Sequence, residues 1–395
     1  MNKILMLLQS EFPPDIRLEK EIRALSAAGY KVSLLANSYT PAKGKYFPDV
    51  DIYRLSTPFK KQKFNKIVNF PLFFNPRFVK KGKELCEKLK PDYIHAHDLP
   101  MLPLGLKLGR LYNIPVVFDM HENYPEALKY FNKRGIVNAL FKNYRLAKIL
   151  EKKSLPKADK IIVVINESRD RLIKEGLPAD KVHVVSNTVD LETFGTPELD
   201  YEIISLYAKK FVILYTGTIS PERGLETPVK AMKKIKEKVK DPLLLLVGEG
   251  PSLSSLVKIA EEANLGNCVE FVKWQPHDKL GSFLYAADLT IIPQPNNDFI
   301  NTTIPHKLFE YMSQGKTVIV SDAIPLKRII TETNAGVVFQ SDSPDDFAKQ
   351  VINVYKNKLN LGLNGIKAVQ NKYNWKVDSA ELLKLYSELK ESRYT

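Results

Sequence analysis

The stretch "NTTIPHKLFEYMSQGK" (301–316) places a lysine where a helix begins. Pro305 suits the first helical position, because its fixed φ is already helical and its missing N–H is not needed there. Thr303 can accept from the free amides around it, and Gly315 suits the residue just past the end. These signals predict a helix over 305–314 with Lys307 in its first turn. A cation beside the positive end of the helix dipole is unfavourable by about 0.3–1 kcal/mol. A phosphate held at the helix N-terminus would offset that cost. Glu310, on the same face, would then need another partner, such as the hydroxyl pair of a ribose. The plainer alternative is a solvated Lys307–Glu310 pair, worth about 0.2–0.5 kcal/mol.

Two further loops follow apolar runs. "TGTISPERGLE" (216–226) carries Gly217 and Arg223; "VGEGP" (247–251) carries Gly248 and Gly250. Glycine lets a backbone approach a ligand closely, and arginine's fork matches phosphate. Simple turn chemistry explains each glycine loop when it is taken alone. "HAHD" (95–98) brings His95, His97 and Asp98 to the end of another apolar run, and "FDMHE" (118–122) adds His121 and Glu122. A metal centre would want more ligands in a known geometry, and a strand's pleat sends neighbours to opposite faces. His95 and His97 therefore read as core or rim residues, and no metal is expected. No Ser–His–Asp motif is readable, no Walker loop occurs, and no GxGxxG follows the first strand.

The elements that must position these residues alternate regularly. Strands are expected at 3–8, 31–36, 92–97, 115–120 and 160–165, with helical periodicity at 17–28, 100–112 and 136–155. The pattern then restarts, with strands at 211–216, 242–248, 268–272, 289–294, 317–322 and 336–339. Helices are expected near 224–239, 252–263, 277–286 and 305–314, and an amphipathic tail helix spans about 375–391. Continuous apolar strands read as buried on both faces, hence parallel. Two α/β domains of the doubly wound, Rossmann-like kind follow. Their expected bounds are 1–190 and 205–372, with 373–395 as a crossover helix returning toward the first domain. Such sheets bind ligands beyond the carboxyl ends of their strands, so two of them are expected to face each other across a cleft, one substrate per domain.

At 395 residues, 44% hydrophobic and 26% charged, the composition is ordinary for globular domains. No apolar run approaches the roughly 18 residues of a membrane span, and the short "ILMLL" lacks the features of a secretory signal. Cys86 and Cys268 lie far apart without CxxC spacing, which fits a reducing cytoplasm and no zinc site. The charge is uneven: residues 1–150 hold 26 Lys+Arg and 13 Asp+Glu, and these account for nearly all of the chain's +14. "FKKQKFNKIVNFPLFFNPRFVKKGK" (59–83) and "KYFNKRGIVNALFKNYRLAKILEKK" (129–153) interleave the basic residues with large apolar ones. Such a mixture suits an anionic membrane face, although basic runs are as often solvated.

Taken in order, "FPPDIRLEKEIRALSAAGYKVSLL", "DYIHAHD", "FDMHE", "VHVVSNTVDLETF", "GTISPERGLE", "LLVGEGP", "VEFVKWQP", "LYAADLTIIPQ" and "IPHKLFEYMSQGKTVIVSD" resemble the retaining family 4 glycosyltransferases of the GT-B fold, also called glycosyl transferases group 1. The resemblance covers nearly the whole chain. It implies that Glu310 is the second acid of the family's E-x7-E signature and holds the donor ribose. It implies that Arg223 and Lys307 bind the donor diphosphate and that Trp274 and Gln275 border the nucleobase. Asn301, Thr302 and Thr303 would meet the donor sugar and phosphates, and His121 would contact the transferred sugar. Three departures stand out. Thr302 occupies the place of the first acid, Thr218 replaces a basic residue after Gly217, and "SEFPPDIR" replaces a glycine-rich loop. The last departure brings Arg17 into play on the acceptor side, with His97 and Asp98.

The expected activity is metal-independent transfer of a sugar from a nucleoside-diphosphate donor, needing no cofactor, to a glycan or lipid-linked acceptor of cell-surface polysaccharide synthesis. The place of work would be the cytoplasm, with docking on the inner face of the membrane through the basic first half and no nucleic acid as partner. The alternatives are a nucleotide-sugar 2-epimerase on the same fold and a non-catalytic binder of anionic glycans or nucleic acid, for which no RNA-binding motif is present.

Overall fold

The computed structural model describes residues 1–38, 47–48, 50–56, 75–131, 143–194 and 198–391. The chain divides into two compact units, residues 1–187 with 376–395, and residues 188–375.

The first unit is built on seven parallel strands: β1 (Lys3–Glu11), β2 (Lys31–Ser38), β3 (Val50–Ser56), β4 (Tyr93–His97), β5 (Val116–Met120), β6 (Lys160–Val163) and β7 (Val182–Val184). Their spatial order is β3-β2-β1-β4-β5-β6-β7. The order reverses between β1 and β4, so this is where a doubly wound sheet opens toward a ligand. Ile4, Leu5, Met6, Leu7 and Leu8 of β1 are all buried, as the continuous apolar run demands of a central strand covered on both faces. Helix α1 (Ile16–Ala27) starts at Asp15, whose carboxylate accepts from the Leu18 amide at 3.1 Å. The tail helix α2 (Trp375–Glu391) lays Leu382, Leu385, Tyr386 and Leu389 into this unit. There Tyr386 packs edge-on against Tyr93, with ring centroids 5.3 Å apart.

The second unit has six parallel strands: β8 (Phe211–Thr216), β9 (Pro242–Val247), β10 (Val269–Val272), β11 (Leu289–Ile292), β12 (Thr317–Ser321) and β13 (Gly336–Phe339). Their order is β10-β9-β8-β11-β12-β13, with the reversal between β8 and β11. The loops that carry Gly217, Gly248 and the 293–306 segment all leave the carboxyl ends of neighbouring strands β8, β9 and β11.

Several elements depart from the sequence reading. β3, "VDIYRLS", is an edge strand of mixed polarity that offers no apolar run. Helices Ile324–Thr333, Pro344–Lys356 and Gly362–Asn371 were not anticipated. The helix expected at 305–314 is shorter, Lys307–Ser313, and begins after His306 without a side-chain cap. Thr303 is not its cap, because it lies three residues before the capping position His306 and closes the preceding turn Ile300–Thr302.

Candidate active site

In the second unit the geometry centres on Lys307. It is the first residue of its seven-residue helix, yet its side chain turns back into the protein and is only 9% exposed. Nζ donates to the Thr216 carbonyl at 2.5 Å and lies 4.2 Å from the centre of the Tyr215 ring. A carbonyl dipole and an aromatic face therefore take the place of a counter-ion. The plainer alternative, a solvated pair with Glu310, is not what the geometry shows: Lys307 is buried, and Glu310 lies 3.4 Å from Nε2 of His306. Burial, reinforced by the nearby Arg223, pushes the Lys307 amine down to about 7, with Glu310 opposing.

Tyr311, fully buried in the next turn of the same helix, fixes the strand end that Lys307 reads. Its hydroxyl accepts from the Thr216 amide at 2.9 Å and sits 3.0 Å from Thr216 Oγ1. Gly217 follows with φ 120, and a Cβ there would lie 2.5 Å from Lys307 Nζ. Gly248, φ 148, packs on the Gly217 backbone, where a Cβ would come within 2.0 Å of its carbonyl oxygen. Gly250 packs in the same way against the Ile219 backbone. The glycines thus serve loop-on-loop packing as well as an open approach for a ligand.

Arg223 ends the short turn Pro221–Arg223, and its buried Nε has no hydrogen-bond partner. Its nearest acid, Glu222, stands 4.0 Å away and is engaged by the Ser220 hydroxyl. Trp274 is exposed in the loop after β10, and Gln275 beside it bonds the Lys273 carbonyl at 3.4 Å. Asn301 is committed within the fold: its side-chain amide donates to Asn296 in its own loop, and its oxygen accepts from the amide of Ile324, the first residue of the helix Ile324–Thr333, each at 2.8 Å. Thr302 donates to the Phe299 carbonyl at 2.8 Å.

The first unit gathers a second cluster at its own switch point. Arg17 was expected to face an acceptor, and so was His97. Both are buried, Arg17 because its guanidinium is spent on Glu21 at 3.0 Å and on Asp119. His97 Nδ1 lies 3.1 Å from Asp119 Oδ2, and the His97 ring stacks on His95 with centroids 4.3 Å apart. His95 in turn meets the Tyr386 hydroxyl at 3.0 Å. The pleat itself brings them together: His95 and His97 are two residues apart on β4 and so share a face, and Asp119 is the register partner of His97 on the adjacent strand β5.

His121, just beyond β5, is partly exposed, as is Asp98 beside it. Its Nε2 is 2.9 Å from Asp119 Oδ2, and its Nδ1 is 3.6 Å from Asp98. Asp98 is held with φ 63, in the left-handed region that few non-glycine residues enter. Burial opposes charge on His121, but Asp98 and Asp119 outweigh it and raise the ring to about 9. Burial raises Glu122 to about 7, helped by Asp98.

Glu21, His95, His97 and Asp119 each place one ligand-type atom within 4.8 Å of the others. This is the grouping among the described residues that most resembles a metal centre. Two features count against it. Arg17 brings a fixed positive charge into the cluster, and the Nδ1 atoms of His97 and His95 are already engaged by Asp119 at 3.1 Å and by the Tyr386 hydroxyl at 3.0 Å. Asp119, Glu21 and Tyr215 were missed by sequence reading. The signals existed: an acid inside the apolar strand "PVVFDM", and Glu21 one helical turn beyond Arg17.

Two family models match the chain in tandem. "Glycosyltransferase Family 4" spans residues 18–193 and "Glycosyl transferases group 1" spans residues 198–372. An uncharacterized glycosyltransferase of Methanocaldococcus jannaschii is 24% identical over 68% of this chain and 65% of its own length. Among solved structures, sucrose-phosphate synthase from Thermosynechococcus elongatus superposes with a TM-score of 0.79 at 20% identity, over 99% of this chain and 100% of that one. HepE of Anabaena, crystallised with UDP, gives a TM-score of 0.72 at 17% identity, over 98% of this chain and 100% of its own.

Proposed function

Because the chain belongs to the two-domain glycosyltransferases of the GT-B fold, we propose that it transfers a sugar from a nucleoside-diphosphate donor to a glycan or lipid-linked acceptor, with retention of configuration. The observation that carries the donor half is Lys307. A buried amine with a carbonyl and a ring for company, beside Arg223 whose Nε is unpartnered, is a site prepared for a multivalent anion. As the glycosidic bond breaks, negative charge grows on the leaving diphosphate. Lys307 and Arg223 stabilise that charge where it develops, which is the main lever such a site has. They supply the positive charge that a divalent cation would otherwise bring, so transfer proceeds without a metal. Glu310 holds the donor ribose, and Trp274, exposed above the loop, borders the base. A uridine nucleotide is the first donor to test, given the UDP in the HepE complex.

The test is a thermal-shift screen with UDP, GDP, ADP and their sugars, each repeated in excess EDTA. A diphosphate at a hundred times its Kd adds about 2.7 kcal/mol of stability by mass action. One of the three should raise the melting temperature, equally with and without EDTA. Stabilisation by an anionic polymer and by none of the diphosphates would overturn the donor assignment, and a requirement for magnesium or manganese would overturn metal independence.

A further inference from the structure

Asp119 is fully buried and receives more from its neighbours than any other carboxylate of the first unit's cluster. One oxygen is held by the Arg17 guanidinium, which Glu21 steadies from the other side at 3.0 Å. The second oxygen faces two imidazole nitrogens, His97 Nδ1 at 3.1 Å and His121 Nε2 at 2.9 Å. A carboxylate clamped by arginine has only lone pairs to offer, so both nitrogens must carry hydrogen. The two nitrogens lie 3.2 Å from each other, and their shared acceptor is what makes that approach tolerable. His121 Nδ1, on the far side of the ring, is turned toward Asp98 at 3.6 Å. A second carboxylate there favours a second N–H.

We propose that Asp119 is the positioning residue of the transfer reaction: held by Arg17, it orients His121 through Nε2 and, with Asp98 at Nδ1, keeps both ring nitrogens protonated, so that His121 meets the substrate as a hydrogen-bond donor and not as a base. The inference rests on the glycosyltransferase reading for the word substrate, but the protonation and orientation of His121 do not depend on it. Arg17 is then a part of the scaffold two contacts from the reacting atoms. A donor at His121 suits a sugar oxygen or the departing phosphate oxygen, both of which gain negative charge as the glycosidic bond lengthens.

Charged groups from three elements surround the ring. Arg17 and Glu21 come from α1, His97 and Asp98 from the end of β4, and Asp119 and Glu122 from β5 and the residues after it. Burial and Arg17 work against a charged His121; Asp98 and Asp119 win, and the ring titrates at about 9. Sign follows directly. A group raised above its ordinary value keeps its proton through neutrality and loses it only as pH passes the raised value.

The experiment is a ring-nitrogen NMR titration of the full chain with labelled histidine, His121 being assigned by its loss in His121→Gln. In the wild type the His121 signals should stay in the doubly protonated form through pH 8. In Asp119→Asn the midpoint should drop by more than tenfold in proton affinity, and Asp119→Glu should restore part of it. Once the screen has named a nucleotide sugar, Asp119→Asn should lower kcat about a hundredfold with little change in donor KM, the size expected of a misplaced reacting group. A wild-type His121 that titrates at or below the ordinary histidine value overturns the proposal without any variant. An Asp119→Asn protein that melts normally and leaves the His121 titration unmoved overturns it too. Neither readout depends on turnover, so failure of the donor assignment would show separately in the thermal-shift screen.

Discussion

Lys307 enters the resting protein without a carboxylate at its amine, and its surroundings decide its charge. Burial lowers it to about 7, so near neutrality a large share of molecules hold a neutral amine there. A bound diphosphate would favour the ammonium, and binding would then draw in a proton. Below about pH 7 the amine is already charged and affinity should be flat. Above that value affinity should fall, by up to about tenfold per pH unit. Calorimetric titration of the diphosphate in two buffers of different ionisation enthalpy measures the proton taken up; zero uptake at pH 8 would contradict the assignment. Glu310 makes a separate case. If it holds the ribose, Glu310→Ala removes a hydrogen bond to a charged group, worth about 1.5–3 kcal/mol, and should lower kcat/KM roughly ten- to hundredfold with an unchanged melting curve. Near-normal turnover would free Glu310 from that role. Both residues were legible in "IPHKLFEYM", because helix signals surround them. Their partners were not. The Thr216 carbonyl and the Tyr215 ring come from a strand some ninety positions earlier, and no local pattern joins the two segments.

At the scale of elements, central parallel strands announced themselves, and so did both edges of the second sheet, but the two edges of the first sheet did not. β1 carries the unbroken apolar run Ile4–Leu8 and β9 is apolar throughout because both faces are covered; β3 and the three-residue β7 sit at the edges of the first sheet and need no such run. The tail helix was readable over its full length, yet its place in the fold depends on which unit its apolar face enters. Leu382, Leu385 and Tyr386 are fully buried in the first unit, and Tyr386 reaches His95. Leu385→Ala should therefore cost about 2–5 kcal/mol, the range for a deeply buried leucine. The loss should appear in chemical denaturation of the first unit, while diphosphate binding by the second unit stays intact. Equal loss of nucleotide binding would place the helix's main support in the second unit instead.

At the scale of the whole molecule, the basic half and the neutral half pose the remaining question. No helix among the described residues is long and apolar enough to cross a membrane. The densest basic and aromatic run, including Lys60, Lys61 and Lys63, lies outside the described residues, as do 132–142 of the second run. What is described around them divides. In "NPRFVKKGK" Phe78 is spent on the core, at 1% exposure, so that part of the run is an ordinary amphipathic helix with a solvated basic face. The helix Tyr144–Ser154 differs. Leu146 and Ile149, one turn apart, are 44% and 50% exposed, and Arg145, Lys152 and Lys153 are exposed around them. Large aliphatic side chains among lysines are what an interfacial helix presents to anionic lipid, each basic residue contributing about 1 kcal/mol. Sedimentation with vesicles of anionic and of zwitterionic phospholipid is the direct measurement. Binding should require the anionic lipid and weaken with salt, because screening shortens the reach of surface charge. Leu146→Ser with Ile149→Ser should weaken it by loss of apolar contact, and Lys60, Lys61 and Lys63 to glutamate should weaken it by loss of charge, with melting unaffected in both. If the protein stays in the supernatant with anionic vesicles at low salt, the basic half serves an anionic soluble acceptor and a lipid-linked one should be given up.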